Sequence, residues 1–258
     1  MDRSSSKKLS SKEKKLKRKE ELDRKKAIDE VIRMAYAKED HLSEFPAFLT
    51  YQRSGLNLIM QPQSGETLPA PLKRYIQALL KENMEGPYGS EWPAEEKVKK
   101  REMVASEARY IIVRQLVEDP EKHDGLWRDG GDPVVSFVQF RFLIDEEIPV
   151  LYVYELQLEK CVQKKGLGKF LMQLLELVAR KNNMKAVLLT VQKRNLAAMA
   201  FYSKLKYVVS SISPSRVDPL IGAEKNYEIL CKTFDPEAKA KLEVRKIKLD
   251  RSIENAAL

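Results

Sequence analysis

The chain has little of what many catalytic schemes require. Its two histidines, His41 and His123, are too few and too scattered for a metal site or a serine–histidine triad, and no metal is expected. Its two cysteines, Cys161 and Cys231, lie seventy residues apart without a Cys-x-x-Cys pattern. That excludes a disulfide-built scaffold and reads as two reduced thiols. No apolar run reaches eighteen residues, so no membrane-spanning helix is expected. The N-terminal segment is highly charged and lacks an apolar stretch of the kind a secretory signal carries. Neither Gly-x-Gly-x-x-Gly nor Gly-x-x-x-x-Gly-Lys-Ser/Thr occurs, which removes dinucleotide and nucleoside-triphosphate phosphate loops.

What is present suffices for one well-filled core: 258 residues, 43% hydrophobic. The net charge of +9 is uneven. Residues 1–26 hold twelve Lys/Arg against five Asp/Glu, whereas residues 234–258 hold six against five, so the body between them is nearly neutral. The chain is therefore read as a basic leader (1–26), a main domain (27–234) and a charged C-terminal tail (235–258). The run Lys14-Lys15-Leu16-Lys17-Arg18-Lys19 reads as a nuclear import signal, a nucleic-acid contact or a solvated helix end.

The most informative stretch is Gln163-Lys164-Lys165-Gly166-Leu167-Gly168-Lys169. An apolar strand, Val150 to Leu158, precedes it, and an amphipathic helix, Phe170 to Lys181, follows. The first turn of a helix has unpaired N–H groups and about half a positive charge from its dipole. Glycines without Cβ atoms let a pyrophosphate approach that backbone, and Lys164, Lys165 and Lys169 add cations. The stretch is either a diphosphate cradle or an ordinary glycine turn. Elsewhere, Pro62 to Pro71 reads as a loop, and Leu72 to Met84 as a helix stopped by Gly86-Pro87. Strands are expected at 108–117, 133–144, 185–192 and 226–234, and an exposed helix or tail over 236–251. The fold class is α/β (α+β), with antiparallel strands first and one helical crossover.

Gln163, Gly166 and Gly168 match Gln/Arg-x-x-Gly-x-Gly/Ala, the acetyl-coenzyme A signature of the GNAT acetyltransferases, and Asn195 with Ala200-Phe201-Tyr202-Ser203-Lys204-Leu205-Lys206-Tyr207 stands at the family's spacing. More narrowly, residues 12–232 resemble the type D N-terminal acetyltransferases. The blocks that carry this include Glu44-Phe45-Pro46, Tyr88-x-x-Glu91-Trp92, Leu151-Tyr152-x-Tyr154-Glu155 and Ser213-Pro214-Ser215. The resemblance implies a GNAT fold: a central mixed sheet, mostly antiparallel, flanked by helices, with an added N-terminal helical segment. It implies acetyl transfer from acetyl-CoA to the N-terminal serine amine of histones, in nucleus and cytoplasm, by a monomer.

By the same resemblance, Glu155 is the general base with Tyr154 as an aid. The cofactor is held by the backbone of Leu156, Gln157 and Leu158, by Gln163, Lys164, Lys165, Gly166, Leu167, Gly168 and Lys169, and by Asn195. The substrate peptide meets Tyr88, Trp92, Asp145, Tyr152, Tyr154, Thr190, Ser213 and Tyr227. One position departs: Leu143 stands where the family has an acid, with Asp145, Glu146 and Glu147 close by. The basic leader would serve nucleosome or ribosome association.

The residues taken alone leave other readings open. Glu155 reads also as an edge carboxylate paired with a lysine, and the tyrosines as core packing. The acids at 145–147 read also as a charged hairpin turn, and Trp92 as a plug under a loop. Strict alternation puts Tyr152 and Tyr154 on one face and Glu155 on the other, so all three serve one cleft only if the strand is bulged. Transfer to lysine or a small amine, or acetyl-CoA binding without turnover in a chromatin- or ribosome-associated module, are the competing functions.

Overall fold

The computed structural model describes residues 11–117, 126–129 and 131–244. The Ser- and Lys-rich stretch 1–10, His123, Gly130 and the end of the tail, 245–258, lie outside the described residues.

The element order is α1 (Ser11–Tyr36), β1 (Thr50–Arg53), β2 (Leu56–Ser64), α2 (Ala70–Tyr88), α3 (Trp92–Met103), β3 (Arg109–Gln115), β4 (Val134–Asp145) and β5 (Ile148–Leu158). Next come α4 (Leu167–Lys181), β6 (Ala186–Gln192), α5 (Leu196–Lys204), β7 (Val208–Val209), α6 (Pro214–Val217), α7 (Pro219–Glu224), β8 (Tyr227–Thr233) and α8 (Pro236–Leu242). The eight strands form one mixed sheet in the order β1-β2-β3-β4-β5-β6-β8-β7. Every pairing is antiparallel except β5–β6, the pair joined through α4. A parallel neighbour requires a crossover, and the amphipathic helix supplies it.

Alternation along the strands sorts the core into two layers. On β4, Val138, Phe140 and Phe142 face one way and pack with Leu171, Leu174, Leu175 and Val178 of α4. These α4 residues recur on one helical face, and all are fully buried. Phe137, on the other face of β4, packs with Leu72, Tyr75, Ile76 and Leu79 of α2 and with Trp92 and Met103 at the ends of α3. Further along that face, Ile148, Val150, Ala186 and Leu188 pack with α8.

Three expectations are corrected. Pro62 lies within β2, not in a loop; its ring costs a donor, yet β2 pairs with β3 on one side through to Ser64. Gly86-Pro87 does not stop α2, which runs to Tyr88, because a proline in the last turn removes a single helical hydrogen bond. The leader enters α1, one helix from Ser11 to Tyr36 that crosses residue 26. Its far end is fixed by Ala35, which is buried, and by Tyr36, whose Oη donates to the Phe142 carbonyl (2.7 Å) and accepts from the Phe142 N–H (3.1 Å). The tail begins as α8, whose Ala238 and Leu242 are fully buried instead of exposed.

Candidate active site

The sheet splits at its centre. β5 pairs with β6 only from Val150 to Val153, while β6 continues beside β8 to Gln192. Past Val153 the backbone groups of β5 on that side have no strand neighbour. A cleft of about 720 Å³ occupies the gap.

One wall is made by the turn from β5 into α4. Gln163 Nε2 donates to the Leu158 carbonyl (3.0 Å), tying the turn to the strand end. Lys164 (φ +58°) and Gly166 (φ +87°) adopt left-handed backbone, which reverses the chain into α4. At Gly166 a Cβ would stand 2.7 Å from the Tyr51 hydroxyl, which itself donates to the Lys165 carbonyl (2.6 Å). The β1–β2 hairpin thus braces the turn from behind, and only glycine fits there. A Cβ at Gly168 would come within 3.3 Å of the Phe201 ring. Phe170 is the first residue whose N–H bonds back into the turn, to the Gly166 carbonyl (3.1 Å), so the amides of Leu167, Gly168 and Lys169 precede the helical ladder. Gln163, Lys164, Gly166, Gly168 and Lys169 line the cleft, as do Leu156, Gln157 and Leu158 of β5. A turn of free amides at a helix N-terminus, flanked by lysines and closed to any Cβ, fits the diphosphate of coenzyme A. Asn195 completes this side: it caps α5, its Oδ1 accepting from the Ala198 N–H (3.1 Å), and it lines the cleft.

The other wall depends on a bulge. Gln139 pairs with Glu155 and the next β4 residue, Phe140, pairs with Val153, so Tyr154 is an extra residue on β5. The slip turns Tyr152, Tyr154 and Glu155 to the same face, away from Val153 and Leu156, which pack toward α4. The bulge thus brings Tyr154 and Glu155 to one cleft, whereas Tyr152, on the same face, does not line it. Glu155 is 6% exposed, with Oε1 2.9 Å from Lys99 Nζ and Oε2 accepting from Gln157 Nε2 (2.9 Å). Asn83 Nδ2 holds that amide by donating to Gln157 Oε1 (3.0 Å). Burial disfavours charge on Lys99, but Glu155, then Tyr88 and Glu102, outweigh it and raise the lysine above its ordinary range. Burial pushes the Tyr152 phenol up to about 12 and raises those of Tyr88 and Tyr154. All three are neutral donors at physiological pH, which leaves Glu155 as the ionisable acceptor on this wall.

The remaining expected site residues are more dispersed. Tyr88 lines the cleft, and Trp92 stands behind it, 3% exposed, with ring centroids 5.8 Å apart. Thr190 lines the cleft, and its hydroxyl meets that of Tyr152. Leu167 is fully buried and anchors α4. Ser213 is also buried: it donates to Glu228 and accepts from the Ile229 N–H (2.8 Å), so its hydroxyl is occupied by the fold. Tyr227 begins β8, paired with Gln192. At the β4–β5 turn, Asp145 is half-buried, and burial, then Glu146, push its carboxyl up. Glu147 is held by Arg24 of α1 and by Lys241 of α8. Leu143 packs beside Tyr152, Ile212 and Ile229.

Sequence reasoning missed Lys99, Asn83 and Tyr51. Lys99 is one of several lysines in a charged helix, and nothing in its neighbours distinguishes it. Among the described residues, no group of three or more His, Cys, Asp or Glu is arranged to hold a metal, and no helix is long and apolar enough to cross a membrane.

A family model described as the acetyltransferase (GNAT) family matches residues 78–207, half of the chain. Similar solved structures include the PaiA N-acetyltransferase of Thermoplasma acidophilum in complex with coenzyme A, 17% identical over 69% of this chain and 99% of that one, with a TM-score of 0.45. NAA60 of Arabidopsis thaliana, in complex with a bisubstrate analogue, is 13% identical over 69% and 99%, with a TM-score of 0.45. The IAA acetyltransferase of Bacillus cereus is 12% identical over 69% and 99%, with a TM-score of 0.43.

Proposed function

The chain belongs to the acetyltransferase (GNAT) family, and from that premise we propose that it acetylates the N-terminal amine of a peptide, with histone tails beginning Ser-Gly-Arg-Gly as substrate. Acetyl-CoA is the co-substrate and supplies an acyl carbon activated as a thioester. The observation that carries the reading is the β5 bulge at Tyr154, which brings Tyr154 and Glu155 together on the cleft whose other wall is the α4 turn.

The chemistry then falls to a few side chains. Tyr88, Tyr154 and Thr190 flank the acceptor, and Glu155 takes its proton through a water. An α-amine has a pKa of roughly 7.7–8.0 against about 10.4 for lysine, so a carboxylate suffices as base near neutral pH. The amine nitrogen bonds to the acyl carbon, the carbon–sulfur bond breaks, and the sulfur leaves as thiolate to be protonated. A backbone N–H of Leu156 or Gln157, where β5 has left β6, would hold the acyl oxygen. Asp145 pairs with the substrate arginine, since Glu147 is already engaged by Arg24 and Lys241. The sequence blocks shared with type D N-terminal acetyltransferases support this peptide. Nuclear and cytoplasmic residence follows from it, with α1 as the surface for nucleosome or ribosome contact.

One observation favours a second reading, transfer to lysine or a small amine: Leu143 presents an apolar side chain where the resemblance implies an acid. Incubation with acetyl-CoA and a lysine-containing peptide that begins Ser-Gly-Arg-Gly, analysed by fragment mass spectrometry, decides. Acetyl on the α-amine, lost when the terminus is pre-blocked, is expected. Acetyl only on lysine side chains, or on the pre-blocked peptide, rejects the proposal.

A further inference from the structure

We infer that Lys99 is a positioning residue for the transfer, holding the Glu155 carboxylate ionised and aimed into the cleft. The inference rests on the reading of Glu155 as the base.

Both carboxylate oxygens of Glu155 are engaged, and from different directions. Lys99 reaches Oε1 from α3, and Gln157, itself held by Asn83 of α2, reaches Oε2 along β5. The side chains of the ion pair are 14% and 6% exposed, so neither is a solvated surface charge. Burying a carboxylate without a partner disfavours its charged form, and a neutral carboxyl cannot accept a proton from an amine. Among the described residues, Lys99 is the one cation in ion-pair contact with Glu155.

The other groups that face Glu155 do not substitute for it. Tyr88 of α2, Tyr110 of β3 and Tyr202 of α5 are phenols raised by burial. Arg141 of β4 is engaged elsewhere, with its guanidinium 4.4 Å over the Tyr154 ring and Nη2 donating to the Glu102 carbonyl (2.7 Å). Glu102 also draws on Lys99, with Oε2 3.4 Å from Nζ. One ammonium thus serves two carboxylates, with the Arg141 guanidinium, bonded to the Glu102 carbonyl, as a second cation beside them.

Lys99→Met and Lys99→Arg, compared with the native chain on the Ser-Gly-Arg-Gly peptide across pH 5.5–9, test this. Lys99→Met is expected to lose about 10- to 100-fold in kcat/KM at pH 7 and to move the acidic limb of the profile up by about one unit or more, with KM for acetyl-CoA unchanged. Lys99→Arg is expected to restore most of both. A Lys99→Met profile that superimposes on the native one overturns the proposal, as does a loss with no movement of the limb. Because Lys99→Met leaves a buried charge unpaired, the Lys99→Met/Glu155→Gln double variant removes both charges. It is expected to be no slower than Glu155→Gln, and additive losses overturn the coupling. A carboxyl titration of Glu155 by NMR, shifted upward in Lys99→Met, reads the same effect without substrate. Full activity in Glu155→Gln sinks the reading of Glu155 as base. A slow Glu155→Gln beside an unmoved Lys99→Met profile sinks the role of Lys99 alone.

Discussion

The two walls of the cleft are built from different material. The cofactor wall is backbone, supplied by seven consecutive residues, Gln163 to Lys169, at a strand–turn–helix junction. The acceptor wall is side chain, drawn from Tyr88 of α2, Lys99 of α3, Tyr154 and Glu155 of β5 and Thr190 of β6. The first wall is specified locally, by where glycine is allowed. The second exists only after α2 and α3 have docked on the sheet. Binding of the cofactor and selection of the acceptor should therefore fail separately.

The largest effect should come from the acceptor wall. Glu155→Gln preserves shape and the bond from Gln157 while removing the base, and should lower kcat by about 10²–10⁴-fold. Calorimetry should find acetyl-CoA affinity within about twofold of native, on the order of 0.4 kcal/mol. A collapse of affinity alongside kcat would show that the walls are not separable.

Acid should act on the scaffold beneath both walls before it acts on either. His41 is 3% exposed, with its ring centroid 5.0 Å from that of Phe142, on the α4 side of β4. Burial, then Lys38 and Arg109, lower its pKa to about 4 from 6.5. Between those values the unfolded chain binds a proton that the native chain does not, so stability falls as pH drops from about 6.5 toward 4. The loss is at most about 3 kcal/mol. Urea midpoints at pH 7 and 4.5 should converge in His41→Leu relative to native. An equal acid loss in that variant would place the sensitivity elsewhere.

The difference between the walls also explains what could be read without coordinates. The cradle was legible because its signal is contiguous: an apolar strand, two glycines at fixed spacing and an amphipathic helix. The order of β3, β4, β5, α4, β6 and β8 was legible for the same reason, each segment carrying its own period. The bulge was not, because one extra residue at Tyr154 leaves the apolar pattern of β5 intact; only the pairing of Gln139 and Phe140 across the ladder reveals it. Lys99 was invisible because an ion pair fifty-six residues apart depends on how α3 seats against Tyr110 and Phe137 of the sheet. The β1–β2 hairpin was passed over because Pro62 punctuates it, and the burial of α8 because charge dominates its sequence while Ala238 and Leu242 decide its place.

The cofactor wall should yield smaller changes, confined to binding. Gly166→Ala places a Cβ at φ +87° and 2.7 Å from the Tyr51 hydroxyl, which should weaken acetyl-CoA binding about tenfold, roughly 1–2 kcal/mol of strain. Turnover at saturating cofactor should stay within about twofold of native, since no acceptor residue moves. A fall in kcat comparable with that of Glu155→Gln would erase the distinction between the walls.

The smallest effect is the most discriminating, because it asks what braces the backbone. Tyr51→Phe removes the hydroxyl that donates to the Lys165 carbonyl, a contact worth about 1 kcal/mol, and should weaken acetyl-CoA binding about threefold to fivefold. It also removes the atom against which the Cβ of Gly166→Ala would collide. In the Tyr51→Phe/Gly166→Ala double variant the steric part of the strain disappears and the dihedral part remains. The loss in the double variant should therefore be smaller than the sum of the two single losses, with a coupling of at least about 0.5 kcal/mol. Strict additivity would mean that the dihedral angle alone demands glycine at 166 and that the hairpin is a bystander. Sub-additive loss would show that the cofactor wall, though made of backbone, is held in place by one side chain from more than a hundred residues away.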